Sequence, residues 1–508
     1  MKRNNPYSNK KNDQPVGFNQ SAPIRVRRKQ SNKKVGAAAL AWALFTATYG
    51  VSPPMGHAKS LQTVLTAAVP SHPEYQALLS NRDAIGEELK AARGLGLPGV
   101  NLETRYGAIN DDNTEQDDFQ WSLSLRQPLL DGGRTRSEVA RQTERVFSAE
   151  QRVRDTGNAI GLQVVQAYLE VLRTGRVLST AQKNAGQIKS VVNRVIKRVK
   201  AGRSGRVDQE LALSRLYAAQ NIVEEASIRA QDANTLYITI TGEEPSKLEN
   251  VKIDKSALPR SREAAVLLAS NASPRVLALR HDASAAGYAI GTARSAIMPT
   301  LDVELSADYQ DQILGTNGEN EVYSAMLVAR LPLYSGGINL ARITEAQHRA
   351  RESSEVAAAA VLDSSRETQL AWNTYANGLR KVRALSAQAK SSKQVRNIRQ
   401  KQYDAGISTL ISILDAQNEY VIARIQAINE SSLQKFSYFR ILALTGKLLE
   451  TYNIDAGDPN VIFATNVDRV ITHSVRSVSL ETSVTSITRP TKHYSRKSRK
   501  NRSYDWSK

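Results

Sequence analysis

The residues that could do chemistry are few and poorly placed for it. Six histidines (57, 72, 281, 348, 473 and 493) are scattered and never stand in the HExxH spacing that sets two imidazoles one helical turn apart on a zinc ion. The chain has no cysteine, which excludes thiolate catalysis and a disulfide scaffold. Residues 94–99, GLGLPG, satisfy a Gly-x-Gly-x-x-Gly spacing, but Pro98 stands inside it and a strand pattern follows it. Dinucleotide binding needs the opposite order, strand first and helix after. No Walker A sequence appears, so any transport draws its energy from another protein. These patterns predict a non-enzyme without cofactor or metal.

What does recur is a pair of turns. QPLLDGGR at residues 127–134 and LPLYSGGI at 331–338 both set a proline four residues before Gly-Gly, with Pro128 and Pro332 separated by 204 positions. The same offset relates Gly132 and Gly133 to Gly336 and Gly337, Gly202 to Gly406, and Gly242 to Gly446. Pro73 and Pro274 differ by 201 instead, so three residues of length change fall between Pro299 and Pro332. A unit of this size is a duplicated domain, too long for a solenoid repeat. The expected boundaries are 59–260 for the first half and 261–450 for the second.

Within each half the hydrophobic period changes. Residues 74–93 read as a helix. After Pro98, Val100, Leu102, Thr104, Tyr106 and Ala108 alternate with Asn101, Glu103 and Arg105, the period of two of a strand. The acidic stretch 109–118 reads as a loop, after which Phe119, Trp121, Leu123 and Leu125 alternate with Gln120, Ser122, Ser124 and Arg126. In the second half Leu301, Val303, Leu305, Ala307 and Tyr309 oppose Asp302, Glu304, Ser306 and Asp308. The partner stretch from Tyr323 is less clean, since Met326 and Val328 fall on its polar side. No proline interrupts residues 134–201, where Val139, Val146, Val153 and Ile160 recur every seven. A second helix follows Gly202, and its counterpart after Gly406 shows Ile411, Leu414, Asn418, Val421, Ile425 and Ile428 as a coiled-coil seam. Each half therefore reads helix, strand, strand, long helix, helix.

The net charge of +20 is concentrated at the ends: +9 in residues 1–58 and +8 in residues 469–508, leaving +3 for the body. A nucleic-acid partner is not expected, because the first basic end precedes an apolar run (35–51) and small residues Gly56 and Ala58, the pattern of an export signal cut after Ala58. The run is short for a membrane span of about 20 residues. Residues 451–508 read as a basic, low-complexity tail outside the cytosol.

Four strands of about ten residues, apolar on one face, match the length of tilted membrane strands. Tyr106, Phe119, Trp121, Tyr309 and Tyr323 supply aromatics for the lipid interface. Four strands cannot close a barrel, and an open edge in hydrocarbon costs several kcal/mol per unpaired group. Several copies must therefore contribute to one ring, with the long helices continuing its wall. On this reading Pro128–Gly133 and Pro332–Gly337 mark the strand-to-helix junctions, and Gly202 and Gly406 the helix-tip turns. The alternative is an exported periplasmic coiled-coil scaffold that conducts nothing.

At this point the sequence resembles the TolC family of outer-membrane efflux and secretion proteins. The likeness covers residues 59–450, through LQTVLTAAVPSHPEYQALLSNRDA, the two Gly-Gly junctions, VVQAYLEVL, and YDAGISTLISILDAQNEYVIARIQAI followed by LTG. It implies a homotrimer whose twelve strands form one outer-membrane barrel above a periplasmic helical tunnel. It further implies docking at the tip with a periplasmic adaptor and an inner-membrane transporter, and a passive role in efflux or type I secretion. By the same resemblance Asp415 falls on an acidic ring of the tip gate, which would favour cations, and Tyr403 and Asp208 on a tyrosine–carboxylate pair. Ser412 replaces a second acidic residue, Ser408 a linking arginine, and Val207 that arginine's small polar partner.

Overall fold

The computed structural model describes residues 58–111, 114–313 and 316–454. The expected export signal, apart from Ala58, and the tail from residue 455 lie outside the described residues. The first half runs α1 (Leu61–Ser71), α2 (Pro73–Gly94), β1 (Gly99–Asp111), β2 (Thr114–Asp131), α3 (Arg134–Lys200) and α4 (Arg206–Thr241). The second runs α5 (Arg262–Ala272), α6 (Pro274–Ser295), β3 (Thr300–Ile313), β4 (Thr316–Arg330), α7 (Ile338–Asp404) and α8 (Leu410–Leu444), closed by a short α9 (Leu448–Thr451). Helices α3 and α7 are each 67 residues long, so each reaches about 100 Å at 1.5 Å per residue.

Three expectations need correction. Each half opens with two helices, because Pro73 and Pro274 stand at the first position of α2 and α6, where the missing N–H is harmless. The acidic stretch is not a loop: β1 runs to Asp111 and β2 restarts at Thr114. Backbone ladder bonds do not depend on side-chain polarity, so pairing continues to Asp111 with Thr114 and Ile313 with Thr316, and the strands reach 13 to 18 residues. The seam of α8 is also shifted: Leu410, Ile413, Leu414, Gln417, Val421 and Ile428 are buried, whereas Ile411 and Asn418 are exposed.

The four strands form one antiparallel sheet in the order β1-β2-β3-β4. Its outer strands, β1 and β4, each have one partner in this sheet. Among the described residues no helix is long and apolar enough to cross a membrane.

The helices are held by stripes of matched size. In α3 Val146, Val153 and Ile160 are buried, and α4 carries Ala212, Ala219, Ala226 and Ala233, buried at every seventh position. Small side chains let the backbones of an antiparallel pair approach closely. The largest core joins α1, α3, α8, α9 and the connector between α4 and α5 around Leu65, Tyr168, Phe439 and Leu449. There the Tyr168 hydroxyl donates to the carbonyls of Lys59 (2.9 Å) and Glu249 (2.8 Å), and that of Tyr438 to Asp254 (2.8 Å).

Burial pushes Tyr168 and Tyr438 up to about 12. A raised phenol pKa means that the folded state resists losing the proton, so stability is intact below about pH 10 and falls as pH rises from about 10 to 12. Tyr168→Phe removes the donor of the Glu249 carbonyl, while that of Lys59 keeps the Glu249 N–H (3.2 Å), and is expected to cost about 1–3 kcal/mol at pH 7.5. The deficit should shrink by pH 11, because the variant has one fewer buried phenol to ionise. Melting curves followed by circular dichroism at the two pH values check this, and a constant deficit contradicts it.

Candidate pore wall and helix tip

The sheet register sorts side chains onto two faces. Tyr106 pairs with Phe119, Trp121 with both Thr104 and Tyr309, and Leu123 with both Leu102 and Ala307, which in turn faces Tyr323. Alternation therefore places Tyr106, Phe119, Trp121, Tyr309 and Tyr323 on one face with Leu102, Leu123 and Leu305. The Trp121 and Tyr309 rings stack at 6.1 Å, and Phe119 meets Tyr309 edge-on at 6.3 Å. Leu102 is 67% exposed and Tyr106 and Tyr323 each 73%. An apolar face this open on a single chain needs a non-aqueous cover.

The opposite face is polar and partly enclosed. A hollow of 450 Å³ is lined there by Glu103, Arg105, Gln120, Ser122, Asp308 and Asn320, among others. The Ser306 and Ser324 hydroxyls lie 2.8 Å apart across the β3–β4 ladder. Nearer the helices, Asp302 is buried at 3% exposure and accepts from Arg126 (2.6 Å) and Arg330 (2.9 Å), while Arg330 also reaches Glu304 (2.9 Å). Two guanidiniums shared by two carboxylates tie three strands together at this level and leave neither acid unpaired. The apolar Met326 and Val328 of β4 lie on this polar side by register.

The two junctions differ. In the first, β2 continues through Pro128 with a register shift between Pro128 and Leu130, since proline has no N–H for the ladder. The Asp131 carboxylate accepts from the N–H groups of Gly133 (3.0 Å) and Thr135 (2.6 Å) and so caps α3. Gly132 and Gly133 hold φ of +65° and +80°. A Cβ on Gly132 would meet Met298 Cβ at 2.6 Å and the Ser295 carbonyl at 3.0 Å. In the second junction β4 stops at Arg330, before Pro332. Gly336 and Gly337 have the same left-handed φ, +63° and +80°, but face open space.

At the far end the tip turns share one geometry. Gly202 and Gly406 take φ of +68° and +78°, and the next residues, Arg203 and Ile407, donate back to the carbonyls of Arg198 (2.8 Å) and Gln402 (2.9 Å). These are the bonds that close a helix through a left-handed glycine. Around them the expected gate residues are only partly brought together. Tyr403 is buried at 3% exposure, but its hydroxyl has no hydrogen-bond partner. Asp208 accepts instead from Ser204 Oγ at 3.0 Å, so the tyrosine–carboxylate pair is not made in this chain. Ser408 Oγ is buried without a partner, Ser412 belongs to the N-cap of α8 through Thr409, and Val207 is 80% exposed.

Two arginines that the sequence reading passed over hold this region. The Arg198 guanidinium lies 4.4 Å over the Tyr403 ring and donates to the carbonyls of Tyr403 (2.9 Å) and Asp404 (3.4 Å), linking one tip turn to the other. Arg215 approaches Asp415 to 3.9 Å. Both carboxylate and guanidinium are largely exposed, so the pair is a weak one, yet it offsets part of the charge that Asp415 presents. A fixed 204-residue offset pairs equivalent positions of the two halves, whereas these contacts join different ones.

Comparison with known proteins fits this geometry. A relative, the outer membrane efflux protein BepC of Brucella suis biovar 1 (strain 1330), is 24% identical over 402 residues, covering 77% of this chain and 87% of its own. The proteases secretion protein PrtF of Dickeya chrysanthemi is 25% identical over 408 residues, covering 75% and 87%. The crystal structure of the outer membrane protein VceC from Vibrio cholerae superposes with a TM-score of 0.67 at 16% identity, over 76% of this chain and 96% of that one, so the fold is shared. The family model described as outer membrane efflux protein matches residues 64–242 and 266–447. One matched segment for each half, most of the chain together, makes this chain a member of the outer membrane efflux protein family.

Proposed function

We propose that the chain forms a passive homotrimeric exit duct in the outer membrane, three copies giving twelve strands to one barrel and continuing it into the periplasm as a hollow helical cylinder. The observation that carries this is the two-faced sheet of four strands with an outer strand at each side, mounted on 67-residue helices. In lipid the free edges of β1 and β4 need partners, and those of neighbouring copies supply them. The polar hollow then lines the bore. Such a duct catalyses nothing and carries no cofactor, and a periplasmic adaptor with an inner-membrane transporter opens it at the tip. Its cargo is that of an efflux or type I secretion system, in keeping with the names of its relatives. The two matched halves serve as the structural repeats, each bringing two strands and one helical hairpin.

Fractionation and planar-bilayer recording test this together. The expected result is a heat-dissociable trimer in the outer-membrane fraction that forms ion-conducting channels. A water-soluble monomer without conductance would support the coiled-coil scaffold instead.

Asp415 is the carboxylate proposed for the ring at the tip, with Tyr403, Asp208, Ser408 and Ser412 around it. A unit charge about 4 Å from an ion is worth about 1 kcal/mol in water-like surroundings, or up to about fivefold in occupancy. Asp415→Asn is therefore expected to shift the reversal potential in a salt gradient toward anions, and Arg215→Gln to shift it the other way. Identical reversal potentials in all three proteins would remove Asp415 from the bore.

A further inference from the structure

About 40 Å along α3 from Gly202, at 1.5 Å per residue, a recess of 10 Å³ opens between α3 and α8. Each helix presents four residues to it at spacings of three, one and three, which is one helical face: Leu169, Leu172, Arg173 and Arg176 from α3, and Ile428, Ser431, Ser432 and Lys435 from α8. Two of the cations are held in place. Arg173 donates to Glu170 (2.8 Å) and to Asn429 Oδ1 (2.8 Å), and Arg176 donates to Asn250 Oδ1 in the connector between α4 and α5. The third is not: Lys435 is half-buried and, like the Ser431 and Ser432 hydroxyls, has no hydrogen bond or ion pair among the described residues. The carboxylates beside it are engaged, Glu170 by Arg173 and Glu430 by Lys381 at 2.7 Å. Burial and the neighbouring Arg176 hold the Lys435 ammonium below the usual lysine range.

A half-buried cation beside a second cation costs stability unless an anion joins them, and no carboxylate of the described residues does so here. The donors are of the kinds that bind an oxyanion: a guanidinium, an ammonium and two hydroxyls. The size of the recess limits what enters to one water-sized group, so the ligand presents its oxygens at the end of a narrow head. Leu169, Leu172 and Ile428 form the rest of the wall, and they suit a hydrocarbon body behind that head. Inorganic phosphate has no apolar part to lay on them. We propose that this recess binds a small aliphatic carboxylate, its oxygens taken by Lys435, Arg176 and the Ser431 and Ser432 hydroxyls and its chain resting on Leu169, Leu172 and Ile428. The site is built within one chain and stands whether or not the duct reading does.

The test uses the full-length protein in detergent with trifluorobutyrate as probe, followed by fluorine NMR. The probe line is expected to broaden with the wild type, and butyrate to displace it more effectively than acetate or inorganic phosphate. Lys435→Met should weaken binding by about tenfold or more, the loss of a hydrogen bond to a charged group. Lys189→Met, which removes an exposed charge further along α3, should leave it unchanged. A second readout guards against a variant that merely misfolds. With no unpaired cation to bury, Lys435→Met should melt above the wild type in plain buffer. Added butyrate should close or reverse that gap, because it stabilises only the protein that binds it. Equal loss of binding in both variants overturns the proposal, since any cation on the helices then serves. So does displacement by phosphate as effective as that by butyrate, or a wild type whose probe line and melting temperature show no binding at all.

Discussion

Gly132→Val is expected to remove assembled protein from the outer membrane, while Gly336→Ala, the equivalent position of the second half, leaves most of it in place. Both glycines hold a left-handed backbone, which costs an L-residue about 1–2 kcal/mol. At Gly336 that is the main cost, because a Cβ there meets nothing within 4 Å. At Gly132 the new carbon collides with Met298 Cβ at 2.6 Å and with the Ser295 carbonyl at 3.0 Å. Backbone cannot swing aside as a side-chain end can, so α6 must be pushed off the start of α3. The total should exceed about 3 kcal/mol, within the range in which single changes unfold marginal proteins. Quantifying heat-dissociable oligomer in outer-membrane fractions gives the comparison, and equal yields from the two variants would show that the first junction is not the tight one.

The second large effect concerns the sheet faces. Leu305→Arg, in the middle of the apolar face between Leu125 and Ala325, should abolish membrane assembly, since an arginine at the bilayer midplane costs about 2–4 kcal/mol, repeated in every copy. Ser124→Arg stands one residue along the pleat, across from Asn101 and Ser306 on the polar face, and should assemble normally with altered conductance. If both variants assemble, or if Ser124→Arg alone fails, the faces are assigned the wrong way round.

Much of this architecture can be read from residue types. The 204-residue offset of Gly-Gly pairs, the period of two before Pro128 and Pro332, and the heptad of Val146, Val153 and Ile160 are local patterns. They survive folding because each expresses one geometric need: left-handed φ, pleat alternation, or a buried stripe. Other features are not local. Helix α1 is hidden by Pro70 and Pro73, which read as breakers although Pro70 sits in the last turn of α1 and Pro73 at the first turn of α2. Strands continue into acidic stretches because ladder hydrogen bonding does not depend on side-chain polarity.

The tip was the least legible region. Arg198 meets Tyr403 from 205 residues away, and no repeat or period marks that contact. The surplus of Lys/Arg on the helices flanking the tip turns is masked in the net charge of the body, because acidic stretches elsewhere offset it. Tyr403 and Asp208 lie near the tip turns, yet the expected pair is not made: Ser204 engages the Asp208 carboxylate, and the Tyr403 hydroxyl is left without a partner.

The unsatisfied borders of β1 and β4 have a genetic consequence. In the proposed barrel, shared by three copies, a subunit with one defective border spoils every ring it enters. If wild-type and faulty chains are made in equal amounts and mix freely in threes, only about one ring in eight is built entirely of sound subunits. Such alleles should therefore behave as dominant, poisoning export even while half of the cell's supply of the protein is normal.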